Sequence, residues 1–312
     1  MLRTRPNWSR MDEISMEKEL LPEPSEILVI EDHQGRKTSY YPALVWNGLG
    51  CSIPQSRQTA QKSCIRTLVQ REVRKISSAK CILRDIGQRY ESSFQEYAIA
   101  SEGCCLERHA FLNSNLLYLI AATDGNEDTM GHSQLVARYT LLLTNALEID
   151  DKNFSMDIER GALLHDVGKI GIPESILRKN GPLTVREREI VKEHPLLGYE
   201  MIEEFNFLRR ASRVVLFHHE SFDGLGYPYG LRGEEIPLEA RIFAIADTVD
   251  AITSDRPYRK GQSFKKAFDE IEKGRGTQFD PYIVDAFFSV PEEKWQKVKS
   301  ETERSLLMHT IH

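Results

Sequence analysis

The stretch "DIERGALLHDVGKI", Asp157 to Ile170, decides how this chain reads. Its apolar residues recur at helical spacing. The run Ala162-Leu163-Leu164 is then closed by a histidine and an aspartate, His165 and Asp166. An unpaired charge is costly to bury at the end of an apolar run. A metal ion would give both side chains a strong partner. A lone His or Asp at a helix end has ordinary explanations, as a cap, a surface group or a partner for arginine. The case for a metal therefore rests on a set of residues.

Working outward, the set is present. Of nine histidines, five fall between residues 132 and 219: His132, His165, His194, His218 and His219. Each sits in or beside a segment with helical periodicity, including "SQLVARYTLLLTNAL", "TVREREIVKEHPLLGYEMIEEF" and "EARIFAIADTVDAIT". In the last of these, Asp247 and Asp250 lie i,i+3 in an otherwise apolar helix and reach one face. Asp128 precedes His132 by four residues, so it offers either a further ligand or an N-cap. His33, His109, His309 and His312 read as ordinary polar residues. No cysteine occurs after residue 105, which excludes thiolate sites there. Imidazole and carboxylate ligands suit Fe, Mn, Ni or Zn better than Mg or Ca.

Composition bounds the rest. The 312 residues are 40% apolar and 28% charged, enough for a core and for two modest domains. A formal charge of −6 argues against a general binder of nucleic-acid polymers or anionic membranes, though not against a small anionic ligand. No apolar run approaches the ~20 residues of a membrane span. The N-terminus lacks an apolar signal segment. Five cysteines, an odd number with no CxxC, fit reduced thiols in a cytoplasm. The pattern changes near residue 105. Before it come a β-like run at Glu26–Asp32, a second strand candidate within Tyr40–Gly50, and a charged helical stretch from Gln58 to about Tyr97. We therefore expect a small α/β regulatory or docking domain over 1–105. Residues 106–312 form a mainly α domain with a C-terminal tail from about 289.

Four stretches carry a family resemblance: "HDVGKIGIP" (His165–Pro173), "HHESFDGLGYP" (His218–Pro228), "GLRGEEIPLEARIFAIADTVDAITSDRPYRK" (Gly230–Lys260) and "GTQFDP" (Gly276–Pro281). Residues 106 to about 288 resemble the HD-GYP domain, a branch of the HD phosphohydrolases that hydrolyses cyclic di-GMP. The resemblance implies a helical, metal-dependent phosphodiesterase. His132, His165, Asp166 and Asp247 would form the H…HD…D metal set. His194, His218 and His219 would add ligands for a second ion, with Asp166 as the bridge. Asp128 would serve a third ion as in the family members that are trinuclear, which carry a Glu at this spacing. Two or three divalent ions, Fe or Mn first, are implied. Catalysis falls to Asp166 and Lys169, the latter on the scissile phosphate. Lys169, Tyr227, Asp250, Arg256 and Arg259 would face the substrate; the family often has Lys where Arg259 stands. The expected product is pGpG or, further on, GMP. Other readings are hydrolysis of a related cyclic GMP–AMP dinucleotide, a weakly active module docking signalling proteins through the GYP loop, and a general nucleotide phosphohydrolase. A homodimer is compatible with all of them. Whether His218 and His219 face one ion or two stays open at this level.

Overall fold

The computed structural model describes residues 28–31, 37–40, 75–88, 115–116, 127–256 and 259–310, with side chains over 75–88, 115–116, 131–256 and 259–306. The chain divides into two compact units, Met1–Ser63 and Cys64–His312. In the first, β1 (Leu28–Glu31) and β2 (Lys37–Tyr40) pair antiparallel, with Leu28 opposite Tyr40 and Glu31 opposite Lys37. β1 falls within the β-like run at 26–32. The strand expected after Tyr40 and the rest of an N-terminal α/β domain lie outside the described residues.

The second unit is helical. Helix α1 covers residues 75–88. It is followed by α2 (Glu127–Ala146), α3 (Lys152–Leu164), α4 (Glu174–Leu177), α5 (Val185–Val191), α6 (His194–Ile202) and α7 (Ala211–Phe217). Then come α8 (Leu238–Thr253), α9 (Phe264–Lys273), α10 (Pro281–Ser289) and α11 (Glu292–Thr310). Local chemistry sets several starts. Asp151 caps α3 by accepting from the backbone N–H of Asn153 and Phe154. Thr184 and Glu187 form a capping box on α5. Asp280 caps α10, with Pro281 at its first position.

Helix α8 is apolar nearly all round, the signature of a central helix. Ile242, Phe243, Ile245, Ala246 and Val249 are wholly buried in it. Helix α2 packs on α3 and α8, α7 packs on α3, and α6 packs on α7. The site residues described below are carried by these helices and by the turns between them. Among the described residues, no helix is long and apolar enough to cross a membrane.

Two further segments join the core. Ile76, Ala79, Leu83 and Ile86 of α1 belong to the same core as Leu143, Leu164 and Phe243. Helix α1 thus shares the core of the site-bearing unit, Cys64–His312. Its charge disguises this, because only one face of α1 is apolar. Residues beyond 289, set apart as a tail, form α11 and place Trp295 fully buried against Tyr139 and Phe287.

Candidate metal centre

Three of the five histidines meet the C-terminal ends of helices, two as the next residue and His194 from the start of α6. His165 follows α3, His218 follows α7, and His194 follows the turn that ends α5. The last carbonyls of a helix have no intrahelical donor. Here the imidazoles supply one. His165 Nδ1 donates to Ala162 O (2.8 Å), His194 Nδ1 to Val191 O (2.7 Å) and His218 Nδ1 to Val215 O (2.9 Å). A carbonyl can only accept, so each Nδ1 carries a proton and each Nε2 is turned towards the site. Helix C-termini also carry partial negative charge, which favours a nearby cation.

The Nε2 atoms converge. His194 Nε2 and His218 Nε2 are 3.2 Å apart, and His132 Nε2 and His165 Nε2 are 3.3 Å apart. Two neutral imidazoles in this relation point lone pairs at each other. A shared cation relieves that conflict, so the donor set fits a metal. The ligand atoms form two triads, each within 4.8 Å: His194, His218 and His219, and His132, His165 and Asp247. His218 and His219 thus belong to the same triad.

Asp166 lies between the triads. Its Oδ2 is 3.2 Å from His165 Nε2, and its Oδ1 is 3.2 Å from His194 Nε2 and 3.9 Å from His218 Nε2. One carboxylate therefore presents an oxygen to each triad. Lys169 Nζ bonds to Asp166 Oδ2 and keeps about a third of its side chain exposed (32%). Burial pushes Asp166 towards its neutral form, but Lys169 and His165 outweigh it and hold the carboxyl well below the ordinary carboxylate range. For His165, burial favours the neutral ring, but the charges of Asp166 and then Asp247 raise its pKa. Burial, reinforced by neighbouring imidazoles, drives His218 well below the usual range and His219 down to about 3. Anionic carboxylate and neutral imidazole are the ligating forms.

The turn carrying Asp166 reaches α6 through two glycines. A Cβ on Gly168 would stand 1.9 Å from His194 O and 2.4 Å from Gly198 N. The glycine in "HDVGK" is what lets Asp166 and His194 share one site. Phe243, fully buried on α8, lies beneath His165 and His218, with ring centroids 4.9 and 5.8 Å away.

Asp250 occupies a different place from the substrate side implied by resemblance. It is buried (1% exposed). Its Oδ2 accepts from His132 Nδ1 (2.6 Å) and Arg256 (2.9 Å), and its Oδ1 accepts from Ser254 (2.6 Å). It orients His132 from behind as the carbonyls orient His165, His194 and His218. The i,i+3 spacing with Asp247 put both carboxylates near the site but could not say which one touches Nε2. Arg256, partly exposed, backs the same pair, and Arg259 donates to Ala251 O. The Tyr227 ring stacks on His219, centroids 4.6 Å apart, and Lys192 Nζ lies 5.7 Å from the same ring's centroid. Asp128 is in the first turn of α2, its side chain outside the described residues. Sequence reasoning passed over Glu220. It is buried, and its carboxylate accepts three consecutive backbone N–H groups, those of Tyr229, Gly230 and Leu231. The signal was a carboxylate directly after two histidines and before a glycine loop.

Comparison with known proteins agrees with this geometry. The response regulator RpfG of Xanthomonas campestris pv. campestris, named a cyclic di-GMP phosphodiesterase, is 39% identical over 196 residues, 62% of this chain and 51% of that protein. A cyclic di-GMP phosphodiesterase of Thermotoga maritima is 43% identical over 142 residues, 45% of this chain and 39% of that protein. The 3′3′-cGAMP-specific phosphodiesterase 3 of Vibrio cholerae is 39% identical over 153 residues, 49% of this chain and 33% of that protein. The chain spans about half or less of the length of these relatives. The family model described as HD domain matches residues 118–283, more than half of the chain and all of the residues of both triads. The chain belongs to the HD domain family.

Proposed function

We propose that this chain is a metal-dependent phosphodiesterase that opens cyclic di-GMP to linear pGpG, and that it works in the cytoplasm. The observation that carries this is the pair of histidine-rich triads joined by Asp166, with Lys169 at their open edge. His194, His218 and His219 would hold one divalent ion, and His132, His165 and Asp247 another, with Asp166 between them. Iron or manganese suits this donor set. Such ions, when bound, supply Lewis acidity towards phosphate oxygens and an activated water.

The chain's own residues do the rest. The three backbone carbonyls and Asp250 fix the imidazoles of His165, His194, His218 and His132 in one tautomer, so these four Nε2 atoms are aimed before anything binds. Lys169 places an ammonium beside the bridging carboxylate, where it can meet the charge that grows on phosphate oxygens at the pentacoordinate stage. Phe243 excludes water from below. Tyr227 covers His219 and offers an aromatic face to a base. The exposed Leu225 at the tip of the same loop supports a second use of that loop, in contact with other signalling proteins. A division of labour between an N-terminal regulatory part and this unit belongs to the same proposal.

The test is turnover by metal-reconstituted protein, with cyclic di-GMP and cyclic GMP–AMP as parallel substrates. Cyclic di-GMP is expected to be the better substrate, and Asp166→Ala to abolish turnover of both. Unchanged hydrolysis by Asp166→Ala would overturn the mechanism, and a preference for the mixed dinucleotide would overturn the substrate assignment.

A further inference from the structure

The loop after His219 returns across its own start. Gly226 crosses so close to Glu220 that a Cβ there would lie 2.3 Å from Ser221 N and 2.5 Å from Glu220 Cα. Tyr227 N then donates to His219 O at 3.1 Å. This return needs an anchor, because a loop of this length has several low-energy paths. Glu220 provides one. Its Oε1 accepts from Tyr229 N (2.8 Å) and Gly230 N (3.1 Å), and its Oε2 from Leu231 N (3.0 Å). Three N–H groups on one buried carboxylate are charge-assisted bonds, stronger than neutral ones. The same loop is braced from outside: Phe222 N donates to Gln278 O (3.2 Å) and Asp223 N to Thr277 O (2.7 Å). The segment 274–280 is tied to α8 in turn by the buried Arg241–Asp280 pair.

We propose that Glu220 is a positioning residue for the active site, whose carboxylate folds the 221–231 loop back so that the Tyr227 ring is held flat on His219. This rests on the phosphodiesterase reading for its kinetic consequence, but not for its structural one. The Glu220 carboxylate bonds the backbone of residues 229–231, and through that loop it acts on Tyr227. Glutamine at this position keeps one acceptor oxygen and sets an amide N–H₂ against Leu231 N–H. Glu220→Gln therefore retains part of the clamp, whereas Glu220→Ala removes it.

The experiment uses the full chain with its metals and has two stages. Amide hydrogen exchange is followed over residues 229–231, and nitration of Tyr227 is mapped by mass spectrometry, in wild type, Glu220→Gln and Glu220→Ala. Loss of the charged clamp should speed exchange at these amides at least about tenfold in the alanine variant, with the glutamine variant between. Tyr227 nitration should rise in the same order. Kinetics follow in Glu220→Ala, Tyr227→Ala and the double variant. KM should rise about tenfold in each, kcat should change less, and the double variant should be no worse than the poorer single one, as for residues that act as a unit. Unchanged exchange and nitration in both Glu220 variants would overturn the proposal, as would fully additive effects in the double variant. If Glu220→Ala does not fold, the glutamine variant decides by the same readings. A wild-type chain that leaves cyclic di-GMP intact would defeat the functional reading alone, since exchange and nitration need no turnover.

Discussion

Asp250→Asn separates the two triads energetically. The substitution keeps the shape of the side chain, removes its charge and sets an N–H₂ where one acceptor oxygen stood. In the native chain one buried oxygen of Asp250 accepts from both His132 Nδ1 (2.6 Å) and Arg256 (2.9 Å). Burial raises its pKa, but the bond from His132 and the nearby charges outweigh that and hold it down, so the group is a carboxylate at neutral pH. A carboxylate behind an imidazole makes the ring's other nitrogen a better donor to a metal. Loss of such an outer partner costs about 10–100-fold in metal affinity. That cost should fall on the triad of His132, His165 and Asp247 alone. His194, His218 and His219 are oriented by backbone carbonyls or by packing, not by Asp250. The assay is metal content after titration with a competing chelator, in wild type and Asp250→Asn. One ion should be lost from the variant at about 10–100-fold lower chelator strength, with the second retained as in wild type. Equal loss of both ions, or no change, would refute the idea that Asp250 serves one triad from behind.

Other perturbations probe the frame. Gly168→Ala should destabilise the fold by about 3 kcal/mol or more, the upper end for overpacking, in thermal or urea unfolding, because its methyl would meet backbone that cannot move aside. Trp295→Ala should cost about 3–5 kcal/mol, since the ring is fully buried against Tyr139 and Phe287; a change under about 1 kcal/mol would show α11 to be peripheral. Burial pushes the Glu200 carboxyl up to about 8, with Glu203 adding to it and Lys80 opposing. A carboxyl raised on folding keeps its proton in the folded state. Its stabilising effect is whole below about pH 4 and is lost as pH rises through about 8. Glu200→Gln should flatten that part of the stability–pH curve, by up to about 5 kcal/mol between its ends, and an unaltered curve would exclude Glu200 as its source.

The helical site domain was legible because its cues are local. "GALLHDVGK" announces a helix ended by metal-type ligands, and the spacing of Asp247 and Asp250 places both on one face. The residues that fix ligand direction were less legible, because they act across the fold or through the backbone. Ala162, Val191 and Val215 contribute carbonyls, which no side-chain pattern reveals. Asp250 differs from Asp247 only in which ring nitrogen it meets, and that depends on how α2 packs on α8. Glu220 works by accepting backbone N–H groups nine to eleven residues on, so its role appears only when the loop is closed. The α1 and α11 segments were hard to assign to the core for one reason. Each is charged on its outer face, and its few buried residues, such as Leu83 and Trp295, do not stand out in the sequence.

The bridging carboxylate is tested most directly by counting metal in anaerobically purified wild type and Asp166→Ala. Because Asp166 gives one oxygen to each triad, wild type should carry at least two ions per chain, and the variant should lose affinity for both together. Loss of a single ion, or retention of both, would contradict a centre built around Asp166.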